Sequence, residues 1–347
     1  MFKKIISIIM LIVIILTILF TISPIFIPKW ITGEDNYITQ IVRGFYAEKE
    51  NSLDVMFMGN SDMYRGVSPM VLWDEYGIAS YSYTSPGQRT WTAYYVLLDA
   101  LRKQKPNIIV FNIDGIQSTN QSTESCYRKA LDNMQFSSVK LKAITDKQFE
   151  FSPADRFSFL LPVIRYHSRL LELTKDDFEF AYGYKEYENK GLDLITEING
   201  YENGLSYMED KGEQYEFPEE TKKYMDKIVE TCKENGIKLI LVEIPSADSW
   251  SNAKSQAITE YANNNGLIFI DCNMHLDEMN FDWMHDTPDG GDHLNVFGAE
   301  KVSKYLGKYL KDNYNIADRR KDGNYASWFD ASQKYHKNIE DDIKRNK

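Results

Sequence analysis

Ser61 lies in a small polar cluster, Gly59-Asn60-Ser61-Asp62, that directly follows an apolar run. The run, Leu53 to Met58, stops at a glycine, which is typical of a short buried strand. Ligands of open parallel sheets bind at the carboxyl ends of the strands, so Ser61 would lie where a nucleophile is useful. Taken alone, the cluster is better explained as a turn, because these four residue types are the commonest turn formers.

A second polar group lies far along the chain, where four carboxylates and two histidines fall within the twelve residues from Asp282 to His293. Histidine is the usual general base near neutral pH, and a carboxylate commonly fixes its tautomer and stabilises the imidazolium. Asp289 and Asp292 are both close enough in sequence to serve His293. A solvated loop residue is the simpler interpretation of one such histidine. A metal site built from His285, His293 and nearby aspartates fits no familiar ligand spacing.

Five short apolar segments alternate with helical segments around these two groups. This alternation predicts an α/β fold with a five-stranded parallel sheet, which would bring Ser61 and His293 to the same edge. The predicted strands cover residues 53–58, 78–83, 107–113, 237–244 and 267–270, and the predicted helices cover residues 69–76, 91–103, 219–234, 257–265 and 296–310.

The N-terminal segment predicts a membrane anchor over residues 1–27. Ile5 to Ile27 is 23 residues long without a charge, which is enough to span a bilayer. A cleaved signal peptide would have a shorter apolar core and a small-residue cleavage site, and an interfacial helix would have a polar face. Lys3 and Lys4 keep the short flank in the cytoplasm, which places everything after the anchor outside.

The remaining organisation is a juxtamembrane stalk at residues 28–52, the α/β domain at residues 53–314 and a charged C-terminal segment at residues 315–347. That last segment favours either a peripheral helix or a loose tail. Residues 116–215 interrupt the alternation, and we interpret them either as an insertion or lid on the catalytic side or as a simple helical elaboration.

Composition excludes several classes of protein. The formal net charge is -11, which argues against general nucleic-acid binding. Three widely spaced cysteines, with no CxxC, make a disulfide scaffold or a zinc ribbon improbable. The sequence also lacks GxSxG, HExxH, GxGxxG and P-loop motifs, so the corresponding hydrolase, zinc and nucleotide sites are not expected.

The two polar groups together resemble the SGNH/GDSL hydrolase superfamily, in its membrane-anchored, extracytoplasmic bacterial branch. Gly59-Asn60-Ser61 matches the Gly-Asp-Ser nucleophile block with Asn in place of Asp, and Gly87 matches the second block. Asn112-Ile113-Asp114-Gly115 departs from the third block, Gly-x-Asn-Asp. His293 matches the last block, Asp-x-x-His, but the aspartates lie four residues (Asp289) and one residue (Asp292) before it.

This resemblance implies a flavodoxin-like three-layer α/β/α sandwich and a serine esterase or O-acyltransferase that needs no cofactor or metal. Ser61 would be the nucleophile, His293 the base, Asp289 or Asp292 its partner, and the backbone amides of Ser61 and Gly87 the oxyanion hole. The implied substrates are acetyl or D-alanyl esters of cell-envelope glycans, with a multi-span membrane acyltransferase as a possible partner. The alternative is a catalytically weak or inactive protein of this fold that binds glycan or that partner.

Overall fold

The structure, a computed structural model, describes residues 2–29, 36–114 and 123–345. Its centre is a sheet of five parallel strands in the order β2-β1-β3-β4-β5. The strands are β1 (Val55–Met58), β2 (Ser80–Ser82), β3 (Ile108–Asn112), β4 (Lys238–Glu243) and β5 (Ile268–Asp271). The predicted α/β class and the flavodoxin-like strand order are confirmed. This order has a topological switch point between β1 and β3, the usual ligand position in such sheets.

Helices follow or precede each strand, as a parallel sheet requires for its crossovers. They are α1 (Phe2–Ile22), α2 (Asn36–Ala47), α3 (Ser61–Gly66), α4 (Pro69–Tyr76), α5 (Thr90–Ala100), α6 (Glu124–Leu131), α7 (Ser138–Thr145), α8 (Pro153–Leu160), α9 (Pro162–Tyr166), α10 (Lys175–Tyr182), α11 (Glu219–Glu234), α12 (Asn252–Asn264), α13 (Leu276–Met279), α14 (Val296–Asn313) and α15 (Ala326–Arg345).

The two faces of the sheet carry two separate apolar cores, because successive strand residues point to opposite faces. Met56 and Met58 belong to the core that contains the buried sides of α5 and α11. Val55 and Phe57 belong to the core that contains the buried sides of α3 and α14. The molecule is therefore a three-layer α/β/α sandwich, with both faces of every central strand buried.

Local signals in the sequence explain where α4 begins and ends. The Ser68 hydroxyl accepts a hydrogen bond from the Val71 amide, and Pro69 occupies the first helical position. Gly77 ends the helix in the left-handed region, with φ +67°. α12 begins at Asn252 rather than at the predicted residue 257, because Ser251 caps it by accepting from the Lys254 amide.

The two segments that flank the predicted α/β domain in sequence, residues 28–52 and 315–347, each contribute a helix that packs against it. In the predicted stalk, residues 28–52, helix α2 buries Val42, Phe45 and Tyr46 in the core beside α5. In the C-terminal segment, residues 315–347, helix α15 packs against α4 and buries Trp328.

The predicted insertion, residues 116–215, forms α6 to α10 and an irregular stretch from Gly183 to Pro218; its residues 116–122 lie outside the described part. Pro162 separates α8 from α9, because a proline at that position cannot continue the first helix.

Among the described residues, one helix is long and apolar enough to cross a membrane, and it is at the N-terminus. α1 leaves its apolar side chains exposed and buries none of them. At about 1.5 Å per residue, its 21 residues span roughly 31 Å, close to the thickness of a bilayer's hydrocarbon core.

Candidate active site

The turn between β1 and α3 places Ser61 at the carboxyl edge of the sheet. Gly59 adopts φ +143°, and a β-carbon there would lie 2.8 Å from the β-carbon of Asn112 on β3. Only glycine fits this conformation and this close approach. Ser61 is then the first residue of α3, where backbone amides lack partners within the helix.

Asn60 holds this turn against the end of β3. Its side-chain oxygen accepts a hydrogen bond from the Asp62 amide at 3.3 Å, which caps α3. Its side-chain nitrogen donates to the Asp114 carboxylate at 2.6 Å. An aspartate at this position would replace that hydrogen bond with two neighbouring carboxyl groups. Gly115, the last residue of the third block, lies outside the described residues.

The loop before α14 is fixed by a buried carboxylate and a helix cap. Asp286 is fully buried and accepts hydrogen bonds from Lys301 Nζ at 2.6 Å and from the Asp282 amide at 2.7 Å. Asn295 caps α14 by accepting from two backbone amides, and its side-chain nitrogen donates to the His285 carbonyl at 2.7 Å. This scaffold holds the segment between them, which carries Asp289 and His293.

His293 and Asp289 form a close pair. The Nδ1 atom of His293 lies 2.7 Å from Oδ2 of Asp289, and the His293 backbone amide donates to Oδ1 of the same carboxylate at 2.9 Å. Asp292 is second in distance, at 3.2 Å from Nδ1. The carboxylate of Asp289 therefore fixes the tautomer with the proton on Nδ1, which leaves Nε2 to act as a base.

Charge around this pair shifts both pKa values. Burial lowers the pKa of His293, but the Asp289 hydrogen bond and the charge of Asp62 outweigh it and raise the pKa above its ordinary value. Burial raises the pKa of Asp289, but its two hydrogen bonds from His293 outweigh it and lower the pKa. Burial raises the pKa of Asp292. Asp289 thus stays ionised and stabilises an imidazolium better than Asp292 does.

The α3 side chain that lies close to the ring of His293 belongs to Asp62, the residue after Ser61. One oxygen of its buried carboxylate lies within 4.8 Å of a ring nitrogen of His293 and of a carboxylate oxygen of Asp292. The Ser61 hydroxyl makes no hydrogen bond to His293 or to any other described residue. His293 and its two aspartates are therefore together at the same turn as Ser61, without the final nucleophile–base contact.

Gly87 lies in the turn before α5, with φ +53°. In the orientation that satisfies its neighbours, the side-chain amide of the next residue, Gln88, donates to the Gly59 carbonyl at 3.1 Å. The second and first blocks of the resemblance are therefore connected directly at the edge of the sheet.

Arg65 forms ion pairs that connect α3 to the loop of Asp289 and His293, and no motif in the sequence indicates them. Arg65 on α3 lies 3.5 Å from the Asp289 carboxylate and donates to Asp193 at 3.1 Å. Asp193 belongs to the predicted insertion, and its backbone amide donates to the Tyr64 carbonyl at 2.8 Å. The insertion thus contributes a charged residue behind the candidate site, and only the folded chain brings these groups together.

Three carboxyl groups, from Asp62, Asp114 and Glu243, also meet beneath the turn, with oxygens within 4.8 Å of one another. Glu243 is fully buried, and its Oε1 atom has no hydrogen-bond partner among the described residues. Burial and mutual repulsion raise the pKa of Asp62 to about 8 and the pKa of Glu243 well above its ordinary value.

These oxygens have the chemistry of a site for a hard divalent cation, but protons also neutralise them, as the raised pKa values indicate. His285 belongs to neither close group and instead lies 3.1 Å from Asp286.

A comparison with models of known protein families and a search of curated proteins find no match for this chain.

Proposed function

We propose that this chain is a membrane-anchored, extracytoplasmic serine esterase or O-acyltransferase, which transfers acetyl or D-alanyl groups of cell-envelope glycans through an acyl-enzyme on Ser61. The observation that carries the proposal is the 2.7 Å pairing of His293 Nδ1 with Asp289, next to the helix that begins at Ser61. A histidine so paired, near a serine at the carboxyl edge of a parallel sheet, has the parts of a nucleophilic acyl-transfer site.

In the first step, Nε2 of His293 takes the Ser61 hydroxyl proton while the Ser61 oxygen attacks the ester carbonyl. Asp289 stabilises the imidazolium, and the backbone amides of Ser61 and Gly87 receive the developing oxyanion. The imidazolium then gives its proton to the departing alcohol, which leaves an acyl group on Ser61. Water or a glycan hydroxyl, deprotonated by His293, then attacks the acyl group, and the imidazolium returns a proton to the departing Ser61 oxygen, which restores the serine.

Two further observations support the location and the acyl group. The length and apolar surface of α1 suit a membrane anchor, and Lys3 and Lys4 at its start favour an N-terminus in the cytoplasm. Asp289 stays ionised beside His293, and the acidic groups of Asp62 and Asp292 lie close to the same ring, so a neutral acetyl or a cationic D-alanyl ester suits this site better than an anionic acyl group.

Hydrolysis of an acetyl ester by the full chain in detergent tests this proposal. Ser61→Ala should lower the rate at least about 1,000-fold, because the covalent route is lost. Ser138→Ala is the matched control, since Ser138 is also the first residue of a helix, and it should leave the rate unchanged. Equal rates for Ser61→Ala and the unmodified chain would rule out Ser61 as the nucleophile.

A second candidate is a binding protein that retains this fold without the chemistry. The observation that favours it is the absence of a hydrogen bond between the described Ser61 and His293 side chains. Such a protein would still bind an acylated glycan, and Ser61→Ala would leave that binding intact. Glycan binding together with no ester turnover in the unmodified chain would support this alternative.

A further inference from the structure

The predicted insertion packs around the C-terminal end of α1. The Phe20 ring contacts the Phe136 ring edge-on, with centroids 4.8 Å apart. The Tyr182 hydroxyl donates to the Thr21 carbonyl at 2.6 Å. Phe136 follows α6 and Tyr182 ends α10, so two separate parts of the insertion touch the last turn of the apolar helix.

The same packing continues over the residues that follow α1. The Val163 amide donates to the Ser23 hydroxyl at 2.9 Å. The Arg169 guanidinium donates to the carbonyls of Phe26 and Ile27 at 2.8 and 2.9 Å.

Beyond these contacts, Lys29 pairs with Asp177 on α10 at 3.2 Å. The insertion and the end of α1 are therefore joined by hydrogen bonds, an ion pair and ring packing.

Several large apolar side chains of the insertion are exposed. Each belongs to a residue that contacts the end of α1 or the segment after it, or to a residue one or two positions away in the sequence. We call them the membrane-side face: Phe136, Ile164, Leu170, Leu171, Phe178 and Tyr182. Leu171 is 96% exposed and Leu170 is 62% exposed, which is unusual for leucines of a water-facing surface.

The end of α1 fixes the depth of this face. If α1 spans the bilayer, its length places Thr21 and Ile22 near the boundary between hydrocarbon and headgroups. Residues that touch Phe20 and Thr21 must lie at the same depth. Tyrosine with an apolar ring and a polar hydroxyl, as in Tyr182, is characteristic of that boundary.

The geometry points to the outer leaflet of the bilayer as the occupant of the membrane-side face, so that the insertion docks the domain onto the lipid surface. This inference rests on the anchor of the proposed function and adds an interfacial surface to it. Exposed apolar side chains beside the end of a spanning helix enter the interface without any further protein partner.

Fluorescence of a polarity-sensitive dye on single cysteines tests this inference in the full chain, reconstituted in phosphatidylcholine–phosphatidylglycerol vesicles without other protein. The background variant is Cys126→Ser, because the other two cysteines are buried. The dye is placed with Leu170→Cys and, as a matched control of equal exposure, with Met274→Cys (62% and 63% exposed). A third site, Leu11→Cys, reports the anchor itself.

The dye at residue 170 should show blue-shifted emission and at least a twofold quenching by lipids that carry a nitroxide near the headgroup. The dye at residue 274 should remain in water and unquenched, and the dye at residue 11 should be quenched by deep nitroxides. Quenching at residue 11 but not at residue 170 would overturn the docking inference while the anchor stands, and would leave a membrane protein as the occupant. No quenching at residue 11 would overturn the anchor and the docking together.

Discussion

A carboxylate oxygen of Asp62 lies within 4.8 Å of a ring nitrogen of His293, although the two residues are separated by most of the chain. The hydrogen bond to Asp289 and the nearby carboxyl group of Asp62 both raise the pKa of this imidazole, and the pKa of Asp62 is itself raised to about 8. The residue next to the candidate nucleophile thus tunes the candidate base. Two of the predictions below depend on this arrangement.

Asp289 should matter more than Asp292 as the partner of His293. Asp289→Asn removes the charge that stabilises the imidazolium and the acceptor at 2.7 Å from Nδ1, so ester hydrolysis should fall by about 100-fold or more. Asp292→Asn should cost less than about tenfold, because its oxygen is more distant and its pKa is raised. Steady-state rates of the two variants at one pH make the comparison. A larger loss for Asp292→Asn would reverse the assignment.

The activity should rise with pH through a pKa above 6.5, because the base works only as a neutral imidazole and the pKa of His293 is raised. The pKa of Asp62 is raised to about 8, so Asp62 faces the imidazolium with a charge only as it ionises near that pH. Asp62→Asn removes that charge, so the acid limb of kcat/KM should move to lower pH. His285→Gln, in the same loop but paired with Asp286, should not move the limb. An acid limb that stays in place in Asp62→Asn would contradict the coupling between these residues.

Glu243→Gln should stabilise the fold at high pH. The pKa of Glu243 is raised on folding, so the folded chain binds a proton that the unfolded chain releases. The stability that this proton provides is complete below the unfolded pKa and is lost as the pH rises through the folded pKa. Glutamine mimics the protonated acid at every pH, and should therefore raise the free energy of unfolding at pH 8.

Thermal unfolding at pH 5 and pH 8 measures this effect. Glu243→Gln should change the unfolding midpoint little at pH 5 and raise it at pH 8. Glu209→Gln, on the exposed surface, should leave the midpoint unchanged at both pH values. If Glu243→Gln is destabilised at pH 8, and a divalent cation raises the midpoint of the unmodified chain but not that of the variant, the three carboxyl groups hold an ion instead of protons.

Asn60→Asp, which would give this chain the Gly-Asp-Ser sequence of the family that it resembles, should destabilise this protein. The aspartate can still cap α3, but it no longer donates to Asp114 and it adds a carboxylate at that contact. The expected loss is about 1–3 kcal/mol at pH 8 and less at pH 5, where a protonated aspartate can donate. Asn60→Ser keeps a capping oxygen without the charge, so it should be milder at pH 8. Equal stability of Asn60→Asp and the unmodified chain at pH 8 would contradict this role.

Sequence patterns predict the layered fold because its causes are local. The cap at Ser68, the left-handed Gly77 and the apolar strands each act within a few residues, and the order of the parallel strands follows from simple crossovers. The pairing of His293 with an aspartate was also accessible, since both aspartates lie within four residues of it. The choice between Asp289 and Asp292 required the loop conformation.

The sequence alone does not predict the other parts of the candidate site. Asp62 resembles an ordinary turn residue until the fold places it beside His293. Asp193 lies in a segment without pattern, and its role depends on Arg65. One signal was present but unused: Glu243 is an acidic residue near the end of a strongly apolar strand, at the edge where Asp62 and Asp114 also lie. An acidic residue in a buried strand is costly unless it serves the site beside it.

If Ser61 is the nucleophile, its hydroxyl will react covalently with a probe for active serines. The full chain is treated with a fluorophosphonate probe, and the modified peptide is identified by mass spectrometry. We expect one adduct, on Ser61, which forms in Ser138→Ala, is lost in Ser61→Ala and forms at least about 100-fold more slowly in His293→Ala. No adduct on Ser61 in the folded, unmodified chain, under conditions in which a reference serine esterase is labelled, would contradict it.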